Sequence, residues 1–178
     1  MLNNYFSPNK NEEIFEKDEG QEEIILSINL YFGVGMEANP KEAKRWCLLS
    51  SEKGNLLAQG VASFFGWKTQ KSFDMASHYF KELLRRDVKM ERIDSSYACN
   101  MLGFMHKNGN GVKKNYLKAI EYYKMASSKG NTLAMNNLAF MYEEGIGKKK
   151  KLKFILTEIY YNSNSFHFIH FDRSRKGY

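Results

Sequence analysis

The sequence predicts an all-α fold, a solenoid of about three and a half helical-hairpin repeats, on three observations. A set of glycines, alanines and aromatics recurs at a constant offset of 76 residues. Apolar and small residues on both sides of each Gly-x-Gly fall at three- and four-residue steps, the spacing of one helix face. A residue able to cap a helix stands four positions before each recurring alanine.

The chain divides into an acidic stretch at residues 1–20, repeats at about 21–54, 55–93 and 94–130 with a partial copy at 131–147, and a basic then aromatic tail at 148–178. Residues 1–20 hold Asn, Ser, Pro and acids with little periodicity and are expected to be disordered or a loose partial helix. In copy one, Gly33-Val34-Gly35 separates two helices. The second opens at Asn39-Pro40-Lys41-Glu42, a cap, a proline at the first helical position and a Glu placed to reach back to the cap. It ends at Lys53-Gly54, where a left-handed glycine closes a helix and a cation meets its negative end. Copy two carries Phe64-Phe65-Gly66, the cap Ser72, Ala76 and Tyr79-Phe80. Ala58 to Ala76 spans 18 residues where Ala98 to Ala119 spans 21, which predicts a loss of three residues from its internal loop. An excess of seven before copy three falls in residues 85–96, a mostly charged segment expected on the outside. Copy three has stripes at Ala98, Met101, Leu102, Met105 and at Ala119, Tyr122, Tyr123, Ala126, with Gly109-Asn110-Gly111, the cap Asn115 and Lys129-Gly130 between and after them. Copy four opens at Ala134 and reaches Tyr142 and Gly145-Ile146-Gly147.

Ala43, Ala76 and Ala119 precede Trp46, Tyr79 and Tyr122 by one turn, so the small residue is expected to admit a close backbone and the large one to fill the space beside it. The Gly-x-Gly loops are expected to hold positive φ. A phosphate cradle would need a preceding strand and a third glycine, and the sequence shows neither.

The 178 residues bear 27 Lys/Arg against 20 Asp/Glu, but unevenly: residues 1–20 are net −3, 21–147 net +4 and 148–178 net +6. So mild a body lacks the concentrated basic face of a phosphate binder, and Lys148 to Lys151 form the one dense cluster, read as a solvated loop. No apolar run approaches a membrane span and no leader is visible at residues 1–17, so the expectation is a soluble cytoplasmic protein. Cys47 and Cys99, 52 apart, form neither a disulfide framework nor a paired zinc motif, and both are expected to be reduced.

The run Leu102-Gly103-x-x-His106-x-x-Gly109-x-Gly111-Val112-x-x-Asn115-Tyr116-x-Lys118-Ala119-x-x-Tyr122-Tyr123-x-x-Ala126-x-x-x-Gly130 resembles the Sel-1-like repeat, an α/α unit related to the tetratricopeptide repeat. The match is specific in copy three, good in copy one and the first half of copy four, and weak in copy two. His106 stands where that family usually has Tyr, as Tyr142 does here, and reads as a packing residue. The resemblance implies a right-handed superhelix whose concave face binds proteins or peptides, in adaptors or scaffolds of signalling complexes, protein quality control or host–microbe contact.

Stacked hairpins enclose a groove lined by first helices, able to hold a partner's extended or helical segment. The positions on first helices that the core stripe does not use are Asn100, Phe104 and Lys107 in copy three and Asn136, Phe140 and Glu143 in copy four, which makes them the partner-binding candidates. The expectation is therefore a non-catalytic adaptor for a protein or peptide, with no cofactor and no metal. Two alternatives stand beside it: an RNA-binding helical-repeat protein, and a hydrolase like the cysteine-rich Sel-1-like proteins discussed as β-lactamases. Ser50-Ser51-Glu52-Lys53 has the Ser-x-x-Lys spacing of acyl enzymes, but Ser50 aligns with the packing positions Leu83 and Ala126, and Lys68-Thr69-Gln70 lacks the glycine of the companion motif. His167 and His170 could share a metal on a helix, yet two ligands without a third make a poor zinc site.

After Gly147 the repeat pattern breaks, with Lys151 at the cap position and Ile155 at the alanine position. The aromatic run at 166–171 lacks the polar outer face of a solenoid cap, so it folds back, binds something, stays exposed, or arises from a frame change in the base repeat encoding Lys148 to Lys151. Three and a half units is near the minimum for a repeat array, and marginal stability is expected.

Overall fold

The computed structural model of the protein describes residues 19–147; the expectations for residues 1–18 and for the tail, including His167 and His170, lie outside them. Among the described residues there are seven helices and no strand: α1 (Gln21–Phe32), α2 (Pro40–Glu52), α3 (Leu56–Phe65), α4 (Phe73–Arg86), α5 (Ile93–Asn108), α6 (Tyr116–Ser128) and α7 (Thr132–Glu143). Each packs on the next, giving hairpins α1–α2, α3–α4 and α5–α6 with α7 as a half, and the first helices α3, α5 and α7 also touch in series. That pattern of neighbours is an all-α repeat stack.

Local chemistry sets the helix starts. Asn39, Ser72 and Asn115 accept the backbone N–H of Glu42, Met75 and Lys118 at 3.1, 3.3 and 3.0 Å. Glu42 does not complete a reciprocal cap: its carboxylate turns outward to Arg45 at 3.4 Å. Asn55 and Asn131 cap the first helices α3 and α7 in the same way, at 3.0 Å each, and both are buried between hairpins. The loop glycines hold positive φ, at 70° and 72° for Gly33 and Gly35 and 81° and 62° for Gly109 and Gly111. At Gly111 the absent side chain matters twice, since a Cβ would also lie 2.6 Å from Phe73 Cβ of the preceding hairpin.

The irregularity of copy two lies in its first helix and not in its loop. Gly66 precedes Ser72 by the same interval that separates Gly109 from Asn115, while α3 has 10 residues and α5 has 16. Aligned on the loop glycines, Gly60 matches Gly103, and the alanine at position 58 is not the counterpart of Ala98.

This register reveals how each hairpin closes. Gly60 faces the Phe80 ring and Gly103 faces Tyr123, where an added Cβ would come within 2.7 Å of the ring. Phe80 and Tyr123 are fully buried, whereas Trp46, Tyr79 and Tyr122 are only half-buried. In hairpins two and three the large residue that fills the space is thus one position later than the sequence periodicity suggested, and it enters a notch on the first helix. Hairpin one departs from this in both members, with the larger Ser27 on the first helix and the smaller Cys47 on the second; the Ser27 hydroxyl donates to Ala43 O at 2.7 Å.

Residues 85–96 are not simply outside. Arg85 and Arg86 are exposed and pair with Glu82, but Asp87, Asp94, Ser95 and Ser96 are buried. Asp87 accepts the N–H groups of Glu91 and Arg92 at 3.1 and 3.0 Å, shaping the link. Arg92 then grips Asp94 with two bonds of 3.1 and 2.8 Å, and α5 gains an extra first turn. Charge in the sequence reads as exposure; here the buried Asp94 is satisfied by an Arg92 that remains partly exposed.

Two apolar clusters form the core, one from α1 to α5 and one from α5 to α7. Cys47 and Cys99 are free thiols within them, and burial pushes both thiols up to about 12.

Candidate partner-binding groove

The first helices wall one groove. Ile28, Tyr31 and Phe32 of α1, Val61 and Phe65 of α3 and the following Trp67 line it, and α5 adds Tyr97 and Met101 while α7 adds Leu133. The aromatic wall is continuous: the Tyr31 ring lies 4.9 Å from Phe65 and 5.8 Å from Trp67, and Phe65 stacks on Trp67 at 4.7 Å and 14°. Burial raises the pKa of the Tyr31 and Tyr97 phenols, as an apolar setting disfavours the phenolate. Two polar side chains on the wall are already used. The Ser27 hydroxyl is held by Ala43, and Asn100 Oδ1 accepts the Asn137 side-chain amide at 2.9 Å. A surface made mainly of half-buried aromatic and aliphatic side chains suits apolar side chains of a partner.

The six residues expected from the sequence divide into three groups. Asn100 is 5% exposed and serves the packing between hairpins through Asn137, so it is a wall residue and not an open contact. Phe104, Lys107 and Phe140 stand on the rim: Phe104 lies edge-on to Phe64 at 5.9 Å, and the Lys107 ammonium sits 4.5 Å over the Phe140 ring. Burial lowers the pKa of Lys107. Asn136 and Glu143 are exposed on α7. The periodicity did not find Tyr31, Phe65, Trp67 and Tyr97, which dominate the wall. A signal for three of them exists in Tyr31-Phe32-Gly33 and Phe64-Phe65-Gly66-Trp67, aromatic pairs abutting the loop glycine, and it becomes visible once the repeats are aligned on that glycine.

The residues that raised catalytic readings have structural work. Ser50 is buried and donates to Gly20 O at 2.6 Å, tying α2 to the start of α1. His106 stacks on Tyr122 at 5.6 Å and 13°, with Nδ1 3.3 Å from Lys113 O. Burial first, offset by the Lys113 carbonyl, lowers its pKa below the ordinary histidine value. A group with a depressed folded pKa binds its proton more readily when unfolded, so its contribution is full above the unfolded pKa of about 6.5 and is lost as pH falls toward the folded value. Urea titrations at neutral and mildly acidic pH should therefore show a smaller acid loss of stability in His106→Tyr, the residue of the matching position 142, than in the parent chain. An equal acid loss would remove His106 from the account.

The Sel1 repeat family model matches residues 25–55, 96–131 and 132–153, half of the chain, and skips most of copy two. The chain is similar to the ERAD-associated E3 ubiquitin-protein ligase component HRD3B of Arabidopsis thaliana, 33% identical over 58% of this chain and 16% of that protein. It is also similar to protein sel-1 homolog 2 of Homo sapiens, 41% identical over 33% of this chain and 9% of that one. The match thus spans less than a fifth of either relative. Among solved structures it is similar to a protective antigen of uropathogenic Escherichia coli displaying an SLR fold, with a TM-score of 0.46 and 25% identity over 74% of this chain and 27% of that one. A Sel1 repeat protein from Oxalobacter formigenes gives a TM-score of 0.47 and 24% identity over 75% and 51%. No described helix is long and apolar enough to cross a membrane.

Proposed function

Because this chain belongs to the Sel1 repeat family, we propose that it is a non-catalytic protein-interaction module, an adaptor that holds a segment of a protein partner in the groove of its first helices. The observation that carries this reading is the aromatic wall of Tyr31, Phe65, Trp67 and Tyr97, beside which Ser27 and Asn100 are already hydrogen-bonded. The plant relative is by its name a component of a ligase, which fits a role as one member of an assembly; the ligase activity itself is not carried over.

The test is a pair of double variants assayed for partner binding with helicity followed by circular dichroism. Phe65→Ala/Trp67→Ala should weaken binding about thirtyfold, as expected when two buried aromatic anchors are truncated. Phe104→Ala/Phe140→Ala should weaken it less, since those rings stand on the rim at 36% and 44% exposure. Binding unchanged in the first variant, with helicity kept, would reject the groove.

A further inference from the structure

The rim beside this groove carries a charge that no ion pair found among the described residues neutralises. Residues 63–74 and 104–118, which include the two middle hairpin loops, contain Lys68, Lys71, Lys107, Lys113, Lys114 and Lys118 against the single acid Asp74. Ion pairs of the described residues lie elsewhere: Glu42 with Arg45 on α2, Glu23 with Lys53 at the opposite end of the hairpins, Glu82 with Arg85 and Arg86 on α4, and Asp94 with Arg92 in the α4–α5 link. The two loops form one continuous edge, since Gly111 packs against Phe73. Aromatic faces hold three of the ammonium groups in place without cancelling their charge. Lys71 lies 4.7 Å over Phe73 and 6.0 Å over Phe64, Lys107 lies 4.5 Å over Phe140, and Lys114 lies 5.0 Å over Tyr116. Phe64 in turn touches Phe65 of the groove wall at 5.1 Å, so Lys71 stands one ring away from the apolar surface.

From this juxtaposition we infer that the groove's partner is an acidic peptide segment, with aromatic or aliphatic side chains packed onto the Tyr31, Phe65 and Trp67 wall and flanking carboxylates paired with Lys71, Lys107 and Lys114. The inference rests on the adaptor reading and adds the chemistry of the occupant. Charge complementarity selects it: a basic rim raises the encounter rate of acidic segments and disfavours basic ones. The chain's own residues 148–178, with eight bases and two acids, are the wrong sign. Single-stranded RNA fits less well, because Phe73 and Tyr116 are covered by their lysines and so do not serve as stacking platforms.

The experiment pans the full chain against a phage-displayed random peptide library and measures the enriched peptides by fluorescence polarisation, with an oligouridylate as the nucleic-acid probe. The expected consensus places Asp or Glu beside aromatic or aliphatic residues. Its binding should weaken about tenfold in Lys71→Glu/Lys107→Glu, weaken as salt is raised, and hold in the control Lys124→Glu/Lys129→Glu. Lys71→Gln/Lys107→Gln should show the same direction and serves if the reversal disturbs folding. Enriched peptides without acids, full binding in the Lys71/Lys107 variants, or an equal loss in the control would overturn the acidic partner while leaving the groove standing. No enriched peptide at all would overturn the adaptor reading with it. Tighter binding of the oligouridylate than of any peptide would reassign the rim to nucleic acid.

Discussion

Gly60→Ala should destabilise the protein by about 3 kcal/mol, read from urea or thermal unfolding. In an ordinary helix the same change would help by up to about 1 kcal/mol, because alanine is the better helix former. Here the methyl would enter the fully buried Phe80 ring, which is enclosed by the core of the first cluster. Overpacking a dense interior costs about 1–3 kcal/mol and occasionally more, so the steric term outweighs the propensity gain. The sign alone separates the two effects. Hairpin one supplies the rescue: it uses Ser27 against Cys47 where hairpin two uses Gly60 against Phe80. Gly60→Ser/Phe80→Cys should therefore be more stable than the sum of its single variants predicts, with a coupling of about 1–2 kcal/mol. A neutral or stabilising Gly60→Ala would mean that Phe80 does not sit in that notch.

Arg92→Leu should cost about 3 kcal/mol for a different reason. The Asp94 carboxylate is completely buried and takes both guanidinium bonds, at 3.1 and 2.8 Å. Removing one partner leaves a charge without its counterion, which is the expensive half of a buried pair. The double variant Arg92→Leu/Asp94→Leu should recover much of the loss, since neither charge then remains. The pair stands between α4 and α5, where the two core clusters meet, so the single variant should also broaden the unfolding transition by loosening hairpins one and two from the rest. Equal losses in the single and double variants would assign the effect to packing alone.

What the sequence made legible was local. Asn39, Ser72 and Asn115 cap helices because a short polar side chain beside the first turn has few other uses, and the paired glycines mark loops because few residues tolerate positive φ. The complementarity of Gly60 with Phe80 and Gly103 with Tyr123 was hidden, since each pair spans two helices and the apparent match of Ala58 with Ala98 set copy two off by three residues. Tyr31, Phe65 and Trp67 were missed because the candidates came only from copies three and four, and stripe periodicity admitted Asn100, which the stack buries against Asn137. Residues 85–96 misled by composition: a run of charges looks solvated until Arg92 and Asp94 are seen to satisfy one another. Copy two falls outside the family match yet folds as the same hairpin, because the notch, the cap Ser72 and the loop glycine Gly66 persist when the rest of the motif is gone.

Hydrogen exchange of the full chain with and without a saturating peptide from the library addresses the interaction surface most directly. Binding in the groove predicts added protection in segments carrying Tyr31, Phe65 to Trp67 and Tyr97 to Met101, with the outer second helices α2, α4 and α6 unchanged. Protection concentrated on α2, α4 and α6, with the first helices unaffected, would contradict it.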